Sequence, residues 1–246
     1  RKIHYRKFFY AAQHAQHIIA ISEQTKRDII DYLKVPESKI TVVYQGCHQA
    51  FKQTYTEAEK AAVRAKYALP ARFVLNVGAI EPRKNALEIV KAIAALPDLS
   101  LVLVGAQTAY YQQIVAYCKA HNLSHRVLAL KGVSMQELAM IYQQAEVFCY
   151  PSVFEGFGIP IIEALFSRVP VITSEGSCFA EAGGAHSCYI RLDNAADEIR
   201  EAIVRISSDR LLREEMIEKG YAHAQRFTDE AVYQQLMAVY KKNEQL

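Results

Sequence analysis

The sequence predicts an α/β protein built on a doubly wound parallel sheet, and two features of the chain support this fold class. Short, strongly apolar segments alternate with longer amphipathic segments. The apolar segments are uniformly apolar, as expected of strands that are covered on both faces. Alternation of such strands with helices is typical of βαβ units. Ligands of these sheets bind beyond the carboxyl ends of the strands, so functional residues are expected there.

Nine segments carry this pattern. Five have the composition of buried strands: Phe73–Val77, Leu101–Val104, Val127–Leu130, Val147–Tyr150 and Val171–Thr173. Four intervening segments have helical periodicity: Ala86–Leu96, Tyr110–His121, Met135–Ala145 and Ile161–Phe166. The order of the nine predicts a parallel sheet with connecting helices.

Composition narrows the function classes. With 246 residues, of which 51% are apolar, the chain can bury a core in one or two domains. A net charge of +3 does not favour a nucleic acid partner. No apolar run approaches the roughly 18 residues of a membrane helix.

The scattered cysteines lack a CxxC pair and fit reduced, buried thiols of a cytosolic protein. They are Cys47, Cys118, Cys149, Cys178 and Cys188.

The segment EGFGIPIIEAL is the most informative motif. It places two carboxylates, Glu155 and Glu163, on either side of seven residues that include two glycines and a proline. A strand that ends in a glycine turn and opens a helix directs N–H groups and a positive dipole toward a ligand. Carboxylates beside that turn can accept hydrogen bonds from sugar hydroxyls, so the motif suggests a nucleotide sugar. Alternatively, Glu163 is a first-turn acid that only favours the helix dipole.

A second motif, GAIEPRKN, follows the predicted strand Phe73–Val77 directly. Gly78 permits close approach of the backbone to a ligand. Arg83 and Lys84 place two adjacent cations at the end of the strand, where together they can neutralise a diphosphate. The alternative is a solvated helix start, but the position at a strand's carboxyl end favours a binding site.

These motifs resemble those of the retaining GT-B glycosyltransferases of family 4, the large mannosyl- and glucosyltransferase group. The resemblance rests on GAIEPRKN (78–85), LVLVG (101–105) and PSVFEGFGIPIIEAL (151–165), and it continues through PVITS (170–174), AEAGG (180–184), AISEQTKRDI (20–29) and SKITVVYQG (38–46). It implies a Rossmann-like donor domain and catalysis with retention of anomeric configuration. No carboxylate is assigned as a covalent nucleophile.

The resemblance also implies the roles of single residues. Arg83 and Lys84 hold the donor diphosphate, and with Glu155, which contacts the donor sugar, they form the expected catalytic set. Glu163 bonds the ribose hydroxyls. The remaining donor-binding positions, mainly backbone groups, are Gly78, Gly156, Phe157, Gly158 and Ile159. No metal or other cofactor is expected, since the amides and two cations can stabilise the departing diphosphate.

Three segments follow from the same comparison. Residues 1–46 are expected to end an amino-terminal acceptor domain and to contain the hinge, with a strand at His17–Ser22 and a helix at Glu23–Leu33. Residues 47–226 form the donor domain. Residues 227–246 form a helix that crosses back, its apolar face partly exposed. By the same comparison most of the acceptor domain is expected to lie outside this sequence, so we expect the isolated chain to be incomplete for turnover.

The chain departs from the family pattern at three places. Arg168 stands where a glycine is usual, and a surface position is the favoured interpretation. Residues 45–48 (QGCH) and 184–186 (GAH) also differ. Glu181, in AEAGG, matches a family position near the nucleotide, and the alternative is a structural cap or a surface acid.

The predicted function is transfer of a hexose, mannose or glucose, from a nucleoside diphosphate to a saccharide or lipid-linked acceptor in polysaccharide biosynthesis. The alternative is a non-catalytic nucleotide-sugar binding module that acts with a separate acceptor-domain subunit. A cytoplasmic location is expected, and the basic, aromatic segment 1–10 is a candidate for peripheral contact with the inner membrane face. Neither His14 with His17 nor His121 with His125 has a third ligand nearby, so no metal site is expected.

Overall fold

The computed structural model describes residues 2–243 as two parallel sheets with flanking helices. Arg1 and residues 244–246, which belong to the predicted first and last segments, lie outside the described residues. The strands are β1 (Ile18–Ala20), β2 (Ile40–Val42), β3 (Phe73–Val77), β4 (Ser100–Val104), β5 (Val127–Leu130), β6 (Val147–Tyr150), β7 (Val171–Ser174) and β8 (Cys188–Ile190).

The helices lie between and after these strands. They are α1 (Lys2–His14), α2 (Glu23–Leu33), α3 (Glu57–Tyr67), α4 (Ala86–Ala94), α5 (Tyr111–Ala120), α6 (Met135–Tyr142), α7 (Ile159–Phe166), α8 (Phe179–Gly183), α9 (Ala195–Ser208), α10 (Arg210–Ala224) and α11 (Asp229–Asn243). Within the described residues no helix is long and apolar enough to cross a membrane.

The six-stranded sheet has the order β5-β4-β3-β6-β7-β8, and every pairing in it is parallel. This confirms the predicted fold class. The strand order reverses between β3 and β6, which pair through Val74 with Val147 and Leu75 with Phe148. The carboxyl ends of these two strands are therefore neighbours, and a doubly wound sheet binds its ligands at such a reversal.

Both faces of this sheet are covered, which explains the uniformly apolar strands. In β3, Phe73 and Leu75 belong to one buried cluster, whereas Val74 belongs to the cluster on the opposite face. The buried polar residue Asn76 donates to the backbone oxygen of Cys149, 2.8 Å away, and so joins β3 to β6. Both strands are thus fixed where their loops begin.

Several predicted element ends are wrong by one to three residues. The fourth helix stops at Ala94 rather than Leu96, since Pro97 disfavours helical geometry in the preceding residue. The sixth stops at Tyr142 rather than Ala145, where the chain turns toward β6. The seventh begins at Ile159 rather than Ile161, because Pro160 is compatible with a first helical turn. Strands β4 and β7 each gain one serine, and α5 loses one residue at each end.

Candidate functional site

The loops after β3 and β6 meet at the reversal of strand order. The backbone N–H of Val153 donates to the backbone oxygen of Arg83, 2.8 Å away. The guanidinium of Arg83 donates through Nη1 to the backbone oxygen of Phe154 at 3.0 Å. The fold therefore brings together the two motifs that sequence analysis singled out, although they lie 71 residues apart in the chain.

Glu155 lies between the two predicted cations. Its Oε1 atom is 2.6 Å from Nζ of Lys84 and 2.7 Å from Nη1 of Arg83. Lys84 is only 7% exposed, whereas the side chain of Arg83 is 47% exposed. Glu81 contacts Arg83 from the other side, with 2.8 Å between Oε1 and Nη2. The cluster thus has one buried and one accessible cation, both held by the same carboxylate oxygen.

The charges of this cluster influence one another. Burial raises the pKa of Glu155, but Lys84 and Arg83 outweigh it, and the pKa lies below its ordinary value. Burial lowers the pKa of Lys84, and the ion pair with Glu155 offsets only part of that effect. Glu155 is therefore a carboxylate at neutral pH.

Tyr150 was not identified from the sequence, yet it contacts the buried cation. Nζ of Lys84 donates to the Tyr150 hydroxyl and lies 4.5 Å from the centre of its ring. The signal that could have found it is its place as the last residue of β6. Gly78 lies beside the same ammonium, and its φ of 134° is a backbone conformation that side-chain-bearing residues rarely adopt, so the conformation rather than the available space favours glycine.

The glycine turn between the two carboxylates leads into α7. Gly158 precedes the helix with φ 110°, a conformation that side-chain-bearing residues rarely adopt. The ring of Phe157 is buried and stacks on Tyr44, with 5.3 Å between ring centres. The ring of Phe157 is therefore part of the core, and the predicted backbone contact of this residue with a donor stays a prediction. The half-buried Ile159 begins the helix.

Glu163 has a very different environment. It lies in the second turn of α7, so its interpretation as a first-turn acid is wrong, because the helix begins at Ile159. The Tyr142 hydroxyl donates to Oε2 of Glu163 at 3.0 Å. Glu163 is 8% exposed, and burial raises its pKa to about 7, although the hydroxyl of Tyr142 opposes the shift.

Helix α2 holds the glycine turn from the other side. The hydroxyls of Ser22 and Thr25 both lie within hydrogen-bond distance of the backbone oxygen of Gly156, at 2.7 and 3.0 Å. Glu181 accepts from the first two amides of α2, those of Glu23 and Gln24, at 2.6 and 3.0 Å. Among the roles considered for Glu181, the structure supports the structural cap.

The departures from the family pattern have structural explanations. Arg168 follows α7 with φ 58°, where glycine has the lowest conformational cost, and it pairs with Glu218 at 2.8 Å. His48 accepts from the amide of Ala50 at 3.1 Å and caps a short 3₁₀ turn. The ring of His223 packs against Gly184 and contacts the backbone oxygen of Glu181 at 3.0 Å.

The other predictions have mixed outcomes. All five cysteines are buried and free, as expected. In α11 Val239 is buried and Leu236 half-buried, so the apolar face is partly covered. His14 contacts the backbone oxygen of Tyr10, and His17 contacts Thr41. Within residues 2–243 no three potential ligands group as a metal site would require.

Comparison with known proteins agrees with the geometry. The model of the family "glycosyl transferases group 1" matches residues 59–223, and that of "glycosyltransferase family 4" matches residues 1–50. The O-antigen chain mannosyltransferase B of Escherichia coli is 28% identical over 233 residues, which cover 92% of this chain and 61% of that protein. The O-antigen chain mannosyltransferase RfbU of Salmonella typhimurium is 29% identical over 185 residues, 75% of this chain and 49% of that protein.

Solved structures share the fold. Sucrose-phosphate synthase from Thermosynechococcus elongatus has a TM-score of 0.85 at 25% identity, over 98% of this chain and 62% of that one. Anabaena HepE in complex with UDP and glucose has a TM-score of 0.83 at 18% identity, over 96% of this chain and 65% of that one. The chain spans 26% to 61% of the length of the first curated relatives it matches. Because the group 1 model covers more than half of its residues, this chain belongs to the glycosyl transferases group 1, with the GT-B fold.

Proposed function

We propose that this chain is the donor half of a retaining GT-B glycosyltransferase. In this proposal residues 47–226 bind a nucleoside diphosphate sugar, residues 1–46 end the acceptor domain, and residues 227–246 cross back to it. The observation that carries the proposal is the meeting of Arg83 and Lys84 with Glu155 at the reversal of strand order, with Glu163 in the second turn of the helix α7 that follows.

Each part of the donor has a matching group in this site. The half-exposed Arg83 offers a fork of N–H donors to phosphate oxygens, and Lys84 adds a buried positive charge. As the glycosidic bond breaks, negative charge grows on the leaving diphosphate, and fixed cations stabilise it there. We propose that this stabilisation of the leaving diphosphate needs no metal ion. Glu155 would accept hydrogen bonds from sugar hydroxyls and Glu163 from the ribose.

The relatives support a choice of sugar and acceptor. Those named above are O-antigen chain mannosyltransferases, and we propose mannose as the transferred hexose, with glucose as the alternative. The proposed acceptor is a saccharide or a lipid-linked saccharide of polysaccharide biosynthesis, handled in the cytoplasm. Helix α1 exposes Ile3, Phe8 and Tyr10 beside basic residues, which supports contact with the inner membrane face.

Calorimetry with UDP, GDP and ADP, without and then with magnesium, tests the proposal. We expect the chain to bind one of the three selectively and with the same affinity in both conditions. No binding to any of them by a chain shown by circular dichroism to be folded would contradict it. A strict requirement for magnesium would contradict the metal-independent mechanism alone. Binding without transfer, once an acceptor-domain partner is supplied, would favour the non-catalytic module.

A further inference from the structure

We infer that Glu155 acts as an internal counter-ion that makes the site discriminate a sugar-bearing donor from the free nucleoside diphosphate. This inference rests on the proposed function of the site. It assigns Glu155 a second role, in specificity, beyond contact with the donor sugar.

The geometry places Glu155 where a diphosphate would have to bind. One carboxylate oxygen contacts both cations, at 2.6 and 2.7 Å. The ammonium of Lys84 is further enclosed by the hydroxyl and ring of Tyr150, and its residue is almost fully buried. The ammonium of Lys84 and one guanidinium nitrogen of Arg83 are therefore already ion-paired with Glu155. A phosphate oxygen can bridge both cations at this position only as the carboxylate withdraws, whereas the half-exposed guanidinium of Arg83 stays open to solvent.

The charges of the cluster lead to the same conclusion. Two cations, Arg83 and Lys84, face two carboxylates, Glu81 and Glu155, so the cluster carries no net charge in its present arrangement. A nucleoside diphosphate adds at least two negative charges at short range. In a partly buried site this repulsion is screened less than at the surface. A diphosphate would therefore bind weakly while Glu155 remains between the cations.

The two ligands differ in what they offer the displaced carboxylate. A donor that carries its sugar supplies hydroxyl donors, which replace the lost cations as partners of Glu155. A free nucleoside diphosphate supplies none, and its phosphates then repel a carboxylate that has lost its partners. The site should consequently favour the intact donor. Once the sugar has been transferred, the same competition should promote release of the diphosphate product.

Substitution of Glu155 by Gln separates this role from simple sugar binding. Gln keeps the size of the side chain but removes the charge. We expect Glu155→Gln to bind the free nucleoside diphosphate at least about fivefold more tightly than the unchanged chain. The preference for the sugar-bearing donor, measured as the ratio of the two dissociation constants, should fall by at least about fivefold.

A matched variant controls for the loss of one negative charge. Glu218→Gln breaks the pair with Arg168, just after α7, and should leave the donor preference within about twofold of the unchanged chain. If Glu155→Gln fails to fold, Glu155→Asp serves instead, because its shorter side chain draws the carboxylate away from the cations.

Calorimetry with GDP and GDP-mannose, and with UDP and UDP-glucose, decides the outcome. Tighter binding of the free diphosphate by the Glu155 variant, with lost preference, supports the inference. Unchanged or weaker binding of the free diphosphate overturns it and leaves the proposed function intact. If the unchanged chain binds none of the four ligands, the proposed function fails, and the inference fails with it.

Discussion

Glu155 and Glu163 lie on one short segment, yet the fold gives them opposite surroundings. Glu155 faces two cations, which hold its pKa below the ordinary value in spite of burial. Glu163 faces one neutral hydroxyl, and burial raises its pKa to about 7. A shared residue type and a fixed spacing therefore do not imply a shared chemistry. Glu155 is charged throughout the physiological range, whereas the charge of Glu163 depends on pH and on what binds beside it.

The largest expected effects come from the titration of Glu163, which should change both binding and stability. In the proposed donor site only the ionised form of Glu163 offers two acceptor oxygens to the ribose hydroxyls, so nucleoside diphosphate affinity should rise by about tenfold from pH 6 to pH 8. Glu163→Gln should abolish this rise, whereas Glu155→Gln should keep it. Calorimetry at several pH values in buffers of equal ionic strength measures both. An equal pH dependence in the unchanged chain and in Glu163→Gln would show that Glu163 is not the group whose titration controls binding.

The same raised pKa predicts the sign of a stability effect. Between pH 4.5 and about 7, Glu163 keeps its proton in the folded chain but has lost it in the unfolded chain. The stabilisation from this group is therefore complete below about pH 4.5 and is lost as the pH rises through about 7. Relative to Glu163→Gln, the unchanged chain should lose up to about 3 kcal/mol of unfolding free energy across this range. Urea unfolding of both chains at pH 5 and pH 8 measures the difference, and a loss as the pH falls would contradict it.

The cation pair of Glu155 predicts a smaller, non-additive effect. Lys84→Met leaves the buried carboxylate with the half-exposed Arg83 alone and should cost about 2 kcal/mol of unfolding free energy. Lys84→Met combined with Glu155→Gln should be more stable than Lys84→Met alone, because no unpaired charge remains. Arg83→Met, at an exposed pair, should cost less than about 1 kcal/mol. Additive losses in the double variant would show that the two side chains are not coupled.

The smallest expected effect is that of Tyr142→Phe. Removal of its hydroxyl takes away the donor that stabilises ionised Glu163, so the midpoint of the pH profile of binding should move above its value in the unchanged chain. The loss of one buried hydrogen bond should also cost about 1 kcal/mol. Tyr150→Phe, next to Lys84, is the matched control and should leave the midpoint in place. A downward shift in Tyr142→Phe would contradict the assigned donor.

Much of this arrangement could be predicted from the sequence because it is local. Uniformly apolar strands identified the six-stranded sheet apart from the three-residue β8, and the two motifs identified the residues that the site brings together. The start of α7 could not be located, since both Gly158 and Pro160 are compatible with a turn or a helix start. Contacts between residues far apart in the chain could not be predicted. Glu181 caps α2 from 158 residues away, and no local pattern marks such a pair.

The placement of Glu155 between the cations is another contact that no local sequence pattern marks. Sequence assigned Arg83 and Lys84 to a diphosphate and Glu155 to a sugar, as separate functions. Their contact arises because β3 and β6 are neighbours in the sheet, which depends on strand order and not on spacing in the chain.

The most direct test of the account is calorimetry of the preferred nucleoside diphosphate with the variant Arg83→Ala plus Lys84→Ala. We expect its affinity to fall by at least about tenfold, since each charge-assisted hydrogen bond to phosphate contributes about 1.5–3 kcal/mol. The matched control Arg168→Ala plus Lys60→Ala removes two cations, one just after α7 and one on α3, that line a cavity together with Phe166 at the carboxyl end of α7, and it should change the affinity less than twofold. An unchanged affinity in the first variant, with its fold intact, would contradict the donor site described for these loops.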